Sequence, residues 1–206
     1  MAEITRITGA PPIIQREAPT GGRGKMAGQL SVRRLTHVQV GELRPVLAEL
    51  LRDAVASGAS VGFLAPISDV ESLDYWRGIE AAVRSGSRIV LAGFDSSQLV
   101  GSAQLELATM PNARHRAEVM KLFVFRSSRR KGIGRALMNA IEQEARAAKR
   151  SLLVLDTRRG DPAEKLYLSL GYKEAGRIPG YARSSDGTLH ETVLMYKQLP
   201  PGGPVR

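Results

Sequence analysis

Val119-Met120-Lys121-Leu122-Phe123-Val124-Phe125 runs through Arg126-Ser127-Ser128 into Arg129-Arg130-Lys131-Gly132-Ile133-Gly134. The apolar run has the length and composition of a strand. Ile133, Ala136, Leu137, Ala140 and Ile141 then recur at helical spacing. A strand, a basic glycine-bearing turn and a helix N-terminus together form a cradle for a pyrophosphate. Free backbone N–H groups and the positive end of the helix dipole face the anion. Gly132 and Gly134 allow close backbone approach, and Arg129, Arg130, Lys131 and Arg135 add formal charge.

Outward from this turn the chain reads as one continuous α/β pattern. Upstream, Leu30–Leu35 is a first strand and 42–56 a helix bearing Leu43, Val46, Leu47, Leu50 and Leu51. Asp69 is read as the cap of a second helix with Leu73, Trp76 and Ile79. Strands over 88–94 and 99–108 flank the turn Asp95-Ser96-Ser97-Gln98, and a further strand covers 117–125. Downstream, the helix runs to about Lys149, followed by a strand over 151–157 and a short helix opened by Asp161-Pro162. Strands over 171–177 and 191–197 complete the series. Residues 1–28, with their prolines and glycines, read as a flexible extension, 29–199 as the folded domain and 200–206 as a disordered tail. Met26 stands where the folded pattern begins and is an alternative start.

The chain of 206 residues has 43% hydrophobic residues, enough for a sizeable core. It has no cysteine, which removes disulfides and thiolate chemistry. No apolar run approaches the ~20 residues needed to span a bilayer. A cytoplasmic protein is expected. The formal net charge of +10 could serve nucleic acid, an acidic cofactor or neither. The arginines are scattered and aromatics are few, so nucleic-acid binding is disfavoured, whereas basic residues at 129–135 suit a phosphorylated small molecule. His37, His115 and His190 lack metal-ligand spacing, and no metal is expected.

Residues 119–134 followed by 152–172 resemble the GNAT N-acetyltransferase superfamily, whose pyrophosphate loop reads Gln/Arg-x-x-Gly-x-Gly/Ala. Arg129-x-x-Gly132-x-Gly134 fits it, and Leu155-Asp156-Thr157, Ala163, Tyr167 and Gly171-Tyr172 fall at the family's later spacing. Gly160 departs from it, standing where many members carry an asparagine that contacts the pantetheine arm. A closer resemblance over most of 33–199 is to the tabtoxin-resistance group of bacterial acetyltransferases, which acetylate an amino-acid-like β-lactam toxin. It is carried by Gly58-Ala59-Ser60-Val61-Gly62-Phe63, Arg116-Ala117-Glu118-Val119, Pro179-Gly180-Tyr181 and Asp186-Gly187-Thr188-Leu189-His190.

The resemblance implies a mixed, mostly antiparallel sheet of six to seven strands, splayed near the cofactor and flanked by about four helices. It implies acetyl-CoA as co-substrate and direct attack by an amine in a ternary complex. An alkyl amine with a pKa near ~10.4 is protonated at neutral pH, so attack needs a base. Glu118, at the start of the strand that enters the turn, and Asp156, at the C-terminal end of its strand, are both candidates. Tyr167 matches the family's proton donor to the departing thiolate. Leu122, Phe123 and Val124 would hold the pantetheine through their backbone, and Arg129, Arg130, Lys131, Gly132, Ile133, Gly134 and Arg135 the diphosphate. The second helix and the 57–63 loop lie where the family builds its acceptor pocket. The acceptor is expected to be a small-molecule amine, with a protein N-terminus or lysine as the alternative and a silent acyl-CoA sensor as a third reading. The protein is expected to be a monomer or homodimer with no nucleic-acid or membrane partner.

Overall fold

The computed structural model describes residues 29–200. The expected extension 1–28 and, past residue 200, the expected tail lie outside them. Seven strands form one sheet: β1 Leu30–Leu35, β2 Arg88–Asp95, β3 Gln98–Leu107, β4 Arg116–Val124, β5 Leu152–Arg158, β6 Lys173–Arg183 and β7 Leu189–Gln198. Their order is β1-β2-β3-β4-β5-β7-β6, and only β4 and β5 pair in parallel. The mixed, mostly antiparallel sheet expected from the sequence is present.

Five α-helices accompany the sheet: α1 His37–Glu42, α2 Arg44–Ala56, α3 Asp69–Arg84, α4 Ile133–Ala147 and α5 Pro162–Ser169. The additional one is α1. It is a short turn of helix secured by a capping box in which Thr36 and Gln39 exchange hydrogen bonds, and it buries only Val40. One buried position leaves no periodicity to read. The expected cap Asp69 is instead the first residue of α3. Ser68 is the cap, accepting from the Glu71 amide while the Glu71 side chain returns to Ser68.

Two apolar clusters lie on opposite faces of the sheet. Leu47, Leu50, Leu51, Trp76 and Ile79 pack with Val90, Ala92 and Phe123 on the α1–α3 face. Ile133, Leu137, Met138 and Ile141 of α4 pack with Leu105, Val119, Leu153 and Val193 on the other. Each such aliphatic side chain stabilises the fold by roughly 1.5–3 kcal/mol as an upper bound. Trp76 is fully buried and so belongs to the core, as its helical spacing implies.

β6 runs six residues beyond its expected end at Arg177. Pro179-Gly180 reads as a breaker, but an irregularity between Ile178 and Ala182 absorbs it and pairing with β7 resumes. The long β6–β7 hairpin reaches past the sheet, with Ser184–Thr188 at its tip.

Candidate active site

The site is made by a fork in the sheet. β4 and β5 pair at three register positions only, Arg116 with Leu152, Ala117 with Leu153 and Glu118 with Val154. Beyond Glu118 they separate. A bulge in β4 accompanies the divergence: on β3, Gln104 faces Met120 but Ser102 faces Phe123, so Lys121 and Leu122 share the place opposite Ala103. Lys121 takes a left-handed backbone with φ +53°.

The bulge reverses the strand's alternation. Val119 faces the α4 cluster, whereas Phe123, four residues on, faces the α1–α3 cluster. Phe125 N donates to Val100 O at 3.1 Å. Alternation then turns the Phe123 amide toward β3 and leaves those of Leu122 and Val124 facing the fork. Of the three residues expected to offer backbone groups, Leu122 and Val124 can do so with their amides. Phe123 is spent on the sheet and, through its ring, on the core.

At the far end of β4, Gly132 caps α4 in a left-handed conformation with φ +80°. Arg130 is left-handed too, at φ +66°. A Cβ on Gly132 would meet nothing within 4 Å, so the space in front of the first α4 amides is open. Arg129 Nε donates to Val124 O at 3.1 Å and its Nη2 to Ser57 Oγ at 2.8 Å, locking the loop to β4 and to the end of α2. Arg135 donates to Ser169 Oγ at 2.8 Å. Arg130, Lys131 and Arg135 are exposed, whereas Ile133 is buried and contributes through its backbone alone. An open strand edge leading to a helix N-terminus with surplus positive charge fits a pantetheine arm ending in a diphosphate.

A cavity of about 930 Å³ occupies the fork. Glu118, Lys121, Leu122, Asp156, Thr157, Arg158 and Tyr167 line it, with the loop 57–65 and hairpin residues Tyr181–Asp186 closing its other sides. All three predicted catalytic residues therefore face one space. The 129–135 loop lies outside this wall, at the end of the open β4 edge. Residues 57–63 line the cavity as expected, but α3 does not. Its Tyr75 donates to buried Gln104 at 3.1 Å and packs edge-on to Phe63 at 5.3 Å.

Glu118 is half-buried, and burial raises its carboxyl above the usual range, aided by the charges of Glu106 and Asp156; Arg116 and Arg88 oppose the shift weakly. Arg88 is engaged by Glu106 at 3.0 Å rather than by Glu118. Asp156 is more exposed, and the buried Thr192 hydroxyl shares its one proton between the Asp156 carboxylate at 3.1 Å and Thr157 O at 3.0 Å. Tyr167 on α5 is 6% exposed, and burial, with a smaller contribution from Asp156, pushes its phenol well upward. That direction favours the neutral phenol, whose O–H can donate into the cavity. Gly160, at the position where the asparagine is missing, gives its amide to Glu164 at 2.6 Å.

Among the described residues, no group of three or more His, Cys, Asp or Glu could hold a metal ion, and no helix is long and apolar enough to cross a membrane. His190 is half-buried on β7 beside the hairpin turn and does not line the cavity.

The acetyltransferase (GNAT) family model matches residues 53–172. An uncharacterised N-acetyltransferase from the hisH–hisA intergenic region of Azospirillum brasilense is 32% identical over 131 residues, 63% of this chain and 76% of that protein. Among solved structures, the ribosomal-protein-alanine N-acetyltransferase of Brucella melitensis superposes with a TM-score of 0.69 at 24% identity, over 82% of this chain and 99% of that one. yncA from Salmonella typhimurium, solved with its cofactor acetyl-CoA, superposes at 0.68 with 20% identity, over 84% and 96%.

Proposed function

The chain belongs to the acetyltransferase (GNAT) family, and from that premise we propose that it moves the acetyl group of acetyl-CoA to the primary amine of a small molecule held in the fork between β4 and β5. The observation that carries this reading is the convergence of Glu118, Asp156 and Tyr167 on one cavity beside the open edge of β4. The resemblance to the tabtoxin-resistance group adds that the acceptor is an amino-acid-like toxin or antibiotic. A cytoplasmic location suits that role.

Acetyl-CoA, when bound, supplies an acetyl group on a thioester. Leu122 and Val124 offer backbone amides along the fork. Gly132 and the first amides of α4, with Arg129, Arg130, Lys131 and Arg135 around them, would hold the diphosphate. Glu118, raised by burial, takes a proton from the bound ammonium, and Asp156 attracts that ammonium and holds it in place. Tyr167 donates a hydrogen bond to the sulfur as its negative charge develops. Its raised phenol makes complete proton transfer costlier than a free tyrosine would, so stabilisation by the hydrogen bond comes first.

A small acceptor is favoured over a protein tail by the wall that the loop 57–65 and the hairpin tip put along the cavity. The Ala65 amide donates to Ser185 Oγ at 2.7 Å and joins the loop 57–65 to the hairpin tip across the wall.

Thiol release from acetyl-CoA over a panel of amino acids, polyamines, aminoglycosides and peptides tests the reading. Small amines should support turnover, and Tyr167→Phe should lower kcat by about 10²–10⁴-fold with little change in the KM for acetyl-CoA. Turnover with peptides alone would shift the assignment to protein acetylation. An unchanged kcat in Tyr167→Phe, with chemistry rate-limiting, would remove the tyrosine from the mechanism.

A further inference from the structure

Three cations stand on the cavity wall: Lys121, Arg158 and Arg183. Arg158 is held by Asp161, its Nη2 at 2.8 Å and its Nε at 2.9 Å from the carboxylate. Arg183 is exposed. Lys121 is half-buried, and among the described residues its ammonium donates to one protein acceptor, the Val61 carbonyl. An ammonium has three donors. The Phe63 ring, 5.8 Å away, and Gly62 close the loop side of the group, and a Cβ on Gly62 would come within 3.1 Å of Nζ. Neither Glu118 nor Asp156 forms a salt bridge with it among the described residues, although both carboxylates act on it electrostatically.

The backbone puts this charge there at a cost. On a regular strand Lys121 would share a face with Val119, inside the α4 core. The bulge and the left-handed φ of +53° turn it into the cavity instead. Such a conformation is unfavourable for a non-glycine residue and persists where its surroundings enforce it. Besides Asp161, which holds Arg158, and Asp186 on the exposed hairpin tip, the cavity wall presents the carboxylates of Glu118 and Asp156 and, apart from them, a partly desolvated ammonium with donors unused among the described residues. That is the complement of a zwitterion.

We propose that Lys121 is the docking residue for a carboxylate on the acetyl acceptor, so that the enzyme selects amino-acid-like zwitterions whose ammonium faces Glu118 and Asp156. The assignment rests on the cavity being the acceptor site. Lys121 acts on the choice of acceptor and takes no part in acetyl transfer itself.

The test uses the full chain with saturating acetyl-CoA and matched triplets of acceptors: an amino acid, its carboxamide and the decarboxylated amine. The native enzyme should prefer the acid. Lys121→Met should lower the ratio of kcat/KM for acid over carboxamide at least about tenfold, the effect of losing a charge-assisted contact. Lys121→Arg should retain most of that ratio. A merely structural role in pinning Val61 would depress all three acceptors alike and leave the ratio in place, which overturns the assignment. So does a ratio that follows Arg183→Gln instead of Lys121. If Lys121→Met fails to show the thermal shift with acetyl-CoA that marks a folded protein, Lys121→Gln is scored by the same ratio. Thiol release with none of the three acceptor types, from a protein that acetyl-CoA still stabilises, overturns the small-amine reading and Lys121 with it. Release with amines at an unmoved ratio overturns Lys121 alone.

Discussion

Glu118 sits where a carboxylate is costly, half-buried at the last paired position before the fork and close to two other acids. Its raised pKa has two consequences. The acidic limb of kcat/KM should lie above the ordinary carboxylate range, and Asp156→Asn should move it to lower pH by removing one of the charges that raise it. An acidic limb unmoved in both Asp156→Asn and Glu118→Gln would exclude the pair from the proton chemistry. The second consequence is stability. A carboxyl raised in the folded state favours folding while it is protonated, and that contribution is lost as pH rises from the ordinary glutamate range through the folded value. Glu118→Gln should therefore raise Tm at neutral pH while it removes activity, and the difference should vanish in acid. An unchanged or lower Tm at neutral pH would show that burial does not burden this group. Glu118, Asp156 and Tyr167 were named in the sequence mainly through the family resemblance, and the structure lines one cavity with all three. Lys121 was not named, because it lies within an apolar run whose alternation gives it an inward place.

The element that decides the site is β4, and its bulge is invisible to a count of alternating residues. Period two over 119–125 groups Val119, Lys121 and Phe123 on one face, but the structure sends Val119 and Phe123 to opposite cores. Strand existence was readable; side-chain phase past Met120 was not. Similarly, α1 buries too little to show a period, and Pro179-Gly180 signals an end that the β6 irregularity bypasses. β4 is also held in place from behind by Gly101 of β3. A Cβ there would lie 2.8 Å from Phe123 O and 3.2 Å from both Ile133 and Leu137. Backbone on one side and α4 on the other leave no room to yield. Gly101→Ala should cost about 1–3 kcal/mol, or roughly 2–4 °C in Tm per kcal/mol for a chain of this size. It should also raise the KM for acetyl-CoA, since the atoms displaced belong to β4 and to the start of α4. A destabilised variant with an unaltered KM would separate β4 placement from cofactor binding.

On the scale of the whole molecule, the sheet is two antiparallel blocks, β1–β4 and β5–β7–β6, joined by one short parallel ladder. α4 packs on β1–β4 and α5 on β5, and one apolar cluster that includes Leu137, Leu153, Tyr167 and Val193 spans the joint. If acetyl-CoA lies along the open edge, hydrogen exchange should record it with a residue-by-residue pattern. Its binding should slow the Leu122 and Val124 amides and leave Phe123, already turned to β3, nearly unchanged. Equal protection at all three would contradict the alternation described above.

Mechanically, the ladder at Arg116–Glu118 is the seam of the sheet. A pull that parts the two blocks loads those few backbone pairs first, and the apolar cluster that spans the joint resists next. A ligand bonded along the fork adds rungs beside them and shares the load. If acetyl-CoA is that ligand, grip on the donor and resistance to rupture become one property, and the chain is softest while the fork stands empty between turnovers.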